Sequence, residues 1–286
     1  MAGKKTPNSK TIQAGVMGWP VSHSLSPRLH GFWLGQYAID GTYVPLEVRP
    51  EDCRRYIAGL SDQGYAGVNV TVPHKEIAAA CVDVLDDGAR RLSAVNTIVV
   101  QPDGSLLGSN TDGFGFMENL ISGAPGWALG DGPAVVLGAG GAARAVVAAL
   151  LEAGVSEVRL ANRTVERAQT LAGDIGGAIT TVGWDDRSSV LDGAALLVNT
   201  TTLGMTGKPP LDLDLEPLPG NAVVNDIVYS PLVTDLLEKA KKRGNPIVDG
   251  IGMLLHQARP GFRQWFGVEP EVTDALRAHV LAGVGK

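Results

Sequence analysis

The chain has 286 residues, with 24 lysines and arginines against 30 aspartates and glutamates, for a formal net charge of −6. With 44% hydrophobic and 19% charged residues it is a folded protein, long enough for two domains and for a core that needs no disulfide or metal staple. Mild acidity without a long basic run argues against nucleic acid as the main partner, and no apolar run of about 18 residues is present to span a membrane.

In chain order, Met1–Lys10 is basic but lacks the apolar region of a signal peptide, and reads as a disordered tail. Thr11–Met17 reads as a strand, Ser26–Ile39 as a helix with Pro27 in its first turn, Thr42–Val48 as a strand and Glu51–Gln63 as a helix. Ala66–Val70 follows as a strand, Pro73–Leu85 as a helix and Ala94–Val100 as a strand. Strands alternating with helices imply βαβ units and a largely parallel sheet.

A second series begins after the turn-rich stretch Gly123–Pro133. Strands are expected at Pro133–Leu137, Glu157–Ala161, Ala195–Asn199, Ala222–Ile227 and Pro246–Val248. Helices are expected at Gly141–Ala153, Val165–Ala172 and Pro231–Lys242, and then at Gly252–Gln264, broken near Pro260-Gly261, and Pro270–Ala282. Continuously apolar strands suit a sheet covered by helices on both faces. The expected fold is therefore two α/β units joined near residue 113. The lone thiols Cys53 and Cys81 form no C-x-x-C pair and suit a reducing cytosol.

Gly138-Ala139-Gly140-Gly141-Ala142-Ala143 follows an apolar strand and opens a helix. It fits G-x-G-x-x-G/A, with Gly138 for the tight turn, Gly140 for backbone approach to a pyrophosphate, and Ala143 for close helix packing. The next strand ends in Asn162-Arg163-Thr164. NAD-binding units usually carry an acid there, against the ribose 2′-hydroxyl; Arg163 and Thr164 instead suit a 2′-phosphate, so NADP is favoured over NAD.

The first unit carries polar residues at strand ends and helix starts. Ser24 and Ser26 lie two apart before Pro27, pointing the same way if that segment is extended, with a helix cap as the alternative for Ser26. Asn69 and Thr71 share one strand face, and Lys75 falls in the helical turn after Pro73. Asn96 interrupts an apolar strand, and Asp112 lies in a glycine-flanked turn. Together these suit a small polyol or carboxylate. None of the five histidines has metal-ligand spacing, so no metal is expected.

GWPVSHSLSPRLH, NVTVPHK, AVNT, SNTDGFG, GAGGAARA, NRT, NTT-LGM and GIGMLLHQA occur in this order, and in them the chain resembles the shikimate dehydrogenase family from Gly15 to about Gly267. The resemblance implies a substrate domain at 11–112 plus 250–286, with C-terminal helices packing back on it, and a Rossmann NADP-binding domain at 113–249. It implies reversible NADP-dependent reduction of 3-dehydroshikimate to shikimate, a step toward chorismate and the aromatic amino acids, by a cytoplasmic monomer or homodimer. Ser24 and Ser26 would bind the substrate carboxylate. Asn69, Thr71, Lys75, Asn96, Asp112, Tyr229 and Gln257 would surround its ring, with Lys75 and Asp112 as the catalytic pair. Gly138, Ala139, Gly140, Gly141, Ala142 and Ala143 would hold the pyrophosphate, and Asn162, Arg163 and Thr164 the adenosine phosphate. Thr200, Met205, Ile227, Gly250 and Met253 would lie near the nicotinamide. One departure is Gly31, where the family pattern usually has Asn after His30. The competing readings are an NAD-using quinate/shikimate dehydrogenase of the same family and, more remotely, a silent NADP-binding sensor.

Overall fold

A computed structural model describes residues 11–284; the tail expected at residues 1–10 lies outside the described residues. The chain falls into two compact units, one made of residues 11–89, 93–109 and 259–283, the other of residues 90–92, 110–258 and 284. The divisions thus fall at 109/110 and 258/259, where the sequence suggested 112/113 and 249/250.

The first unit contains β1 (Ile12–Gly18), α1 (Ser26–Gln36), β2 (Gly41–Glu47), α2 (Cys53–Ala58), β3 (Tyr65–Val70), α3 (Lys75–Ala79), β4 (Val84–Leu85), the first half of α4 (Asp87–Leu92), β5 (Thr97–Val100) and β6 (Leu106–Ser109). Its sheet order is β2-β1-β3-β5-β6-β4. β1 runs parallel to β2 and β3, and β4 parallel to β6, as an α/β reading expects. β5 departs from that pattern and runs antiparallel to β3 and β6. The cause is a hairpin absent from the expected elements: Pro102-Asp103-Gly104 turns the chain, Gly104 takes φ +86°, and Gln101 N–H donates to Ser105 O at 2.8 Å. The helix expected at Pro73–Leu85 is only α3, because the chain after it pairs β4 with β6. The core of this unit gathers Met17, Ile57, Val68, Val95, Ile98 and Leu106, the first five at 0% exposure.

The second unit contains α5 (Asp112–Gly123), β7 (Ala134–Leu137), α6 (Gly141–Ala153), β8 (Val158–Asn162), α7 (Val165–Ile175), β9 (Ile179–Gly183), β10 (Leu196–Asn199), β11 (Val223–Asp226), α8 (Asp235–Arg243) and β12 (Ile247–Val248). Its six strands are parallel in the order β12-β11-β10-β7-β8-β9. Strand order reverses between β7 and β10, which opens the ligand crevice of a doubly wound sheet at their C-terminal ends. All four residues of β7 are buried, as strands covered on both faces should be.

α9 (Ile251–Phe266) runs unbroken through Pro260, against the expected break. Proline removes one helix N–H, but the turn that follows is held by Phe262 and Trp265, at 0% and 5% exposure. α9 begins in the second unit and ends in the first. α10 (Asp274–Leu281) belongs to the first unit, where it packs on α1. In the stretch leading to α10, Glu271 O accepts a bond from Trp33 Nε1 at 3.0 Å.

Candidate active site

In the first unit the expected polar residues lie on the chain after β1, on β3 and just beyond it, and on the approach to β5. Ser24 and Ser26 are joined by a turn rather than an extended segment. Leu25 between them is in the right-handed helical region, and Ser26 N–H donates to Ser24 Oγ at 3.3 Å. Because Ser24 Oγ accepts from the backbone, its own proton is directed elsewhere, which makes Ser24 a donor toward an anion. Ser26 lies in the first turn of α1 without capping it, so the capping alternative fails.

Asn69, on β3, is held at both ends of its amide. Tyr43 Oη, from β2, donates to its Oδ1 at 2.6 Å, and its Nδ2 donates to Asn96 O and Thr97 Oγ1 at 3.2 and 3.1 Å. Thr97 Oγ1 in turn donates to Asn96 Oδ1 at 3.0 Å. Asn69 and Asn96 are thus brought together by a network that satisfies a buried amide in an apolar sheet. Tyr43 was missed in the sequence; its only signal is a phenol at an inward position of a short strand. Burial pushes its hydroxyl well above the usual tyrosine range, outweighing the bond from the neighbouring Ser26 hydroxyl, so it remains a proton donor.

Thr71 leaves β3 with its N–H on Met17 O, and its carbonyl accepts from His74 N–H, both at 2.9 Å. His74 is buried with Nε2 2.7 Å from Val48 O. Lys75 opens α3, and its carbonyl accepts Val95 N–H at 2.9 Å, which ties its backbone to the segment carrying Asn96.

Asp112 belongs to the second unit. It opens α5 at 5% exposure, with its N–H on Asn110 Oδ1 at 3.1 Å. Thr111 Oγ1 donates to Gln257 O at 2.8 Å, so the structure brings Asp112 beside the turn of α9 that carries Gln257. Gly115 permits this approach: a Cβ there would lie 2.6 Å from Met253 O.

The glycine loop joins β7 to α6 as expected. Gly138 has φ +103°, and a Cβ on it would lie 2.9 Å from Thr200 Oγ1. Gly140 precedes α6 with an ordinary φ of −96°, and a Cβ on Gly140 or Gly141 would meet nothing within 4 Å. The turn therefore has open room for a pyrophosphate in front of the first N–H groups of a 13-residue helix, where the dipole favours an anion. Ala139 and Ala142 complete the loop, and Ala143 is fully buried beneath it. At the end of β8, Asn162 Nδ2 closes a turn onto Thr164 O at 2.7 Å, leaving Arg163 and Thr164 exposed. The nearest acid, Glu166, falls in the first turn of α7.

The remaining cofactor candidates cluster at the ends of β10 and β11. Thr200 Oγ1 donates to Leu137 O at 2.6 Å, and Ile227 N–H to Asn199 O at 3.1 Å. Gly250 packs under Ile227, where a Cβ would lie 2.2 Å from Ile227 O. Met205 is half-buried between turns, and Met253 is at 9% exposure on α9. Tyr229 is partly buried, and burial raises its hydroxyl. Asp226, which the sequence did not single out, accepts bonds from Asn199 Nδ2, Val228 N–H and Thr234 Oγ1 at 3.0, 3.0 and 2.7 Å. Burial pushes its carboxyl up, and it ties the two loops bearing Met205 and Tyr229 to the start of α8. Its only signal was an acid that, after Asn225, ends a strand begun by two valines.

Among the described residues no group of three or more His, Cys, Asp or Glu is placed to hold a metal ion, and no helix is long and apolar enough to cross a membrane.

Comparison with known proteins adds three family matches. Residues 16–98 match "Shikimate dehydrogenase substrate binding domain", residues 126–204 "Shikimate / quinate 5-dehydrogenase" and residues 250–281 "Shikimate 5'-dehydrogenase C-terminal domain". A shikimate dehydrogenase (NADP(+)) of Paramagnetospirillum magneticum is 64% identical over 275 residues, 96% of this chain and 100% of the relative. One from Rhodospirillum rubrum is 62% identical over 95% of this chain and 98% of the relative. Among solved structures, shikimate 5-dehydrogenase of Thermus thermophilus in complex with NADP(H) and shikimate superposes with a TM-score of 0.82 at 37% identity, covering 96% of this chain and 98% of that one. Quinate dehydrogenase of Corynebacterium glutamicum in complex with NAD superposes with a TM-score of 0.89 at 30% identity, covering 95% and 99%.

Proposed function

The chain belongs to the shikimate dehydrogenase family, and from that premise we propose that it interconverts shikimate and 3-dehydroshikimate with NADP(H), a step toward chorismate and the aromatic amino acids. The observation that carries this reading is the presence in one chain of a dinucleotide cradle ending in the acid-free tip Asn162-Arg163-Thr164 and a set of hydroxyl and amide groups suited to a polyol acid.

In this reading Gly138 to Ala143 hold the pyrophosphate and Asn162, Arg163 and Thr164 the 2′-phosphate. Thr200, Met205, Ile227, Gly250 and Met253 line the nicotinamide end. Bound NADP supplies a hydride acceptor; the remaining chemistry belongs to the chain. Ser24 and Ser26 fix the substrate carboxylate. Asn69, Thr71, Asn96, Tyr229 and Gln257 hold the ring hydroxyls and set which carbon reacts. Lys75 and Asp112 are the acid–base residues: the proton leaves the hydroxyl to them as the carbon is oxidised and comes back in reduction. The free thiols Cys53 and Cys81 support a cytosolic setting, where the enzyme acts as a monomer or a homodimer.

The test is absorbance of reduced nicotinamide with shikimate or quinate, each with NADP or NAD. Signal mainly with shikimate and NADP supports the proposal. Comparable signal with quinate and NAD would favour the activity named for the Corynebacterium relative. Silence in all four, from folded protein, would overturn it.

A further inference from the structure

Tyr43 is at 7% exposure, and its hydroxyl, which carries a single proton, gives that proton to Asn69 Oδ1 at 2.6 Å. An amide can present either end to a neighbour, but the atom that accepts from Tyr43 has to be its oxygen. The nitrogen end then faces β5, where both its N–H bonds are used, on Asn96 O at 3.2 Å and Thr97 Oγ1 at 3.1 Å. Having accepted from Asn69, Thr97 Oγ1 turns its own proton to Asn96 Oδ1 at 3.0 Å. Every proton along Tyr43, Asn69, Thr97 and Asn96 therefore runs one way. Reversed, the same side chains would offer a ligand the opposite pattern of donors and acceptors.

We infer that Tyr43 is a positioning residue for substrate: its hydroxyl sets the donor direction of the relay, so that Asn69 meets a ring hydroxyl as an acceptor and Asn96 as a donor. The inference rests on the shikimate reading above. It assigns the recognition polarity of two substrate residues to a tyrosine that itself need not touch the ligand. Thr97, fully buried behind them, is the link that carries the direction from one amide to the other.

The test is calorimetric titration of shikimate into the full-length protein, which needs no turnover. Tyr43→Phe should weaken shikimate binding about tenfold, the effect of one buried hydrogen bond, with NADP affinity unchanged within about twofold. Thr97→Val, nearly isosteric and one step down the relay, should do the same and provides the test if Tyr43→Phe does not fold. If both act through one relay, the double variant should bind no more than about twofold more weakly than either single one. A roughly hundredfold loss in the double variant, or wild-type affinity in either single one, would overturn the relay. A lower thermal midpoint with unchanged affinity would assign Tyr43 a packing role and overturn it equally. Wild-type protein that does not bind shikimate would overturn the underlying reading instead.

Discussion

The imidazole of His30 lies flat on the phenol ring of Tyr43, with centroids 3.8 Å apart and planes 4° from parallel. His30 is fully buried, and among the described residues the one polar side chain acting on its titration is Asn69, which favours the protonated ring but is outweighed by burial. Burial lowers its pKa to about 3, so the stacked ring is neutral wherever the protein works.

That depression has a sign that can be measured. Between about pH 6.5 and the folded value of about 3 the unfolded chain binds a proton that the folded chain refuses, so stability falls as pH falls through this window. From about pH 7 to about pH 5 the loss attributable to His30 is about 2 kcal/mol. Urea unfolding at the two pH values should show it in the wild type and show less of it in His30→Phe, which keeps a stacking ring. Equal pH dependence in both would remove His30 as the cause.

Lys75→Ala is expected to lower turnover by about 10²–10⁴-fold, the range for a general acid–base group, with a much smaller change in KM for shikimate. The backbone bond from Val95 N–H to the carbonyl of residue 75 is available to the variant as well. Near-normal turnover in steady-state kinetics would take Lys75 out of the mechanism.

The two loop glycines should separate fold from cofactor. Gly138→Ala forces a side chain onto φ +103° against Thr200 and is expected to cost about 1–3 kcal/mol of stability. Gly140→Ala places its methyl in open space at an ordinary φ, so stability should hold. KM for NADP should nonetheless rise about tenfold or more, because the methyl takes the pyrophosphate's place. Thermal melts and NADP titration of both variants decide this; a destabilised Gly140→Ala with normal NADP binding would contradict it.

Arg163→Ala should raise KM for NADP about tenfold to a hundredfold, the worth of charge-assisted bonds to phosphate, and leave KM for NAD nearly unchanged. Equal effects on both cofactors would mean that Arg163 does not read the 2′-phosphate.

What the sequence disclosed was whatever is written locally. The β7–loop–α6 unit is legible because four apolar residues, a glycine turn and a helix of small residues are contiguous; α6 runs over Gly141–Ala153, as its pattern suggests. The reversed strand β5 was hidden because its direction is set by a hairpin of only a few residues and by pairing with β3, distant in the chain. β4 looked helical because two residues carry no period, and only β6 makes them a strand. The candidate site residues came from motif-dense turns, where the signal is local. Tyr43 and Asp226 were missed because their significance lies in partners far along the chain, Asn69 for one and Asn199 for the other.

The first unit closes with chain synthesised after every strand of the second. Trp265 Nε1 donates to Ile98 O at 3.0 Å across the bare backbone of Gly67, where a Cβ would lie 2.2 Å from the indole nitrogen. On the ribosome, the strands of the second unit, which all lie between residues 110 and 258, have therefore emerged before the N-terminal sheet receives residues 259–283. Until then the earlier-made sheet keeps an uncovered apolar face, the kind of surface chaperones hold. A chain cut between residues 258 and 265 would carry every strand of the second unit joined to an unfinished, sticky first one.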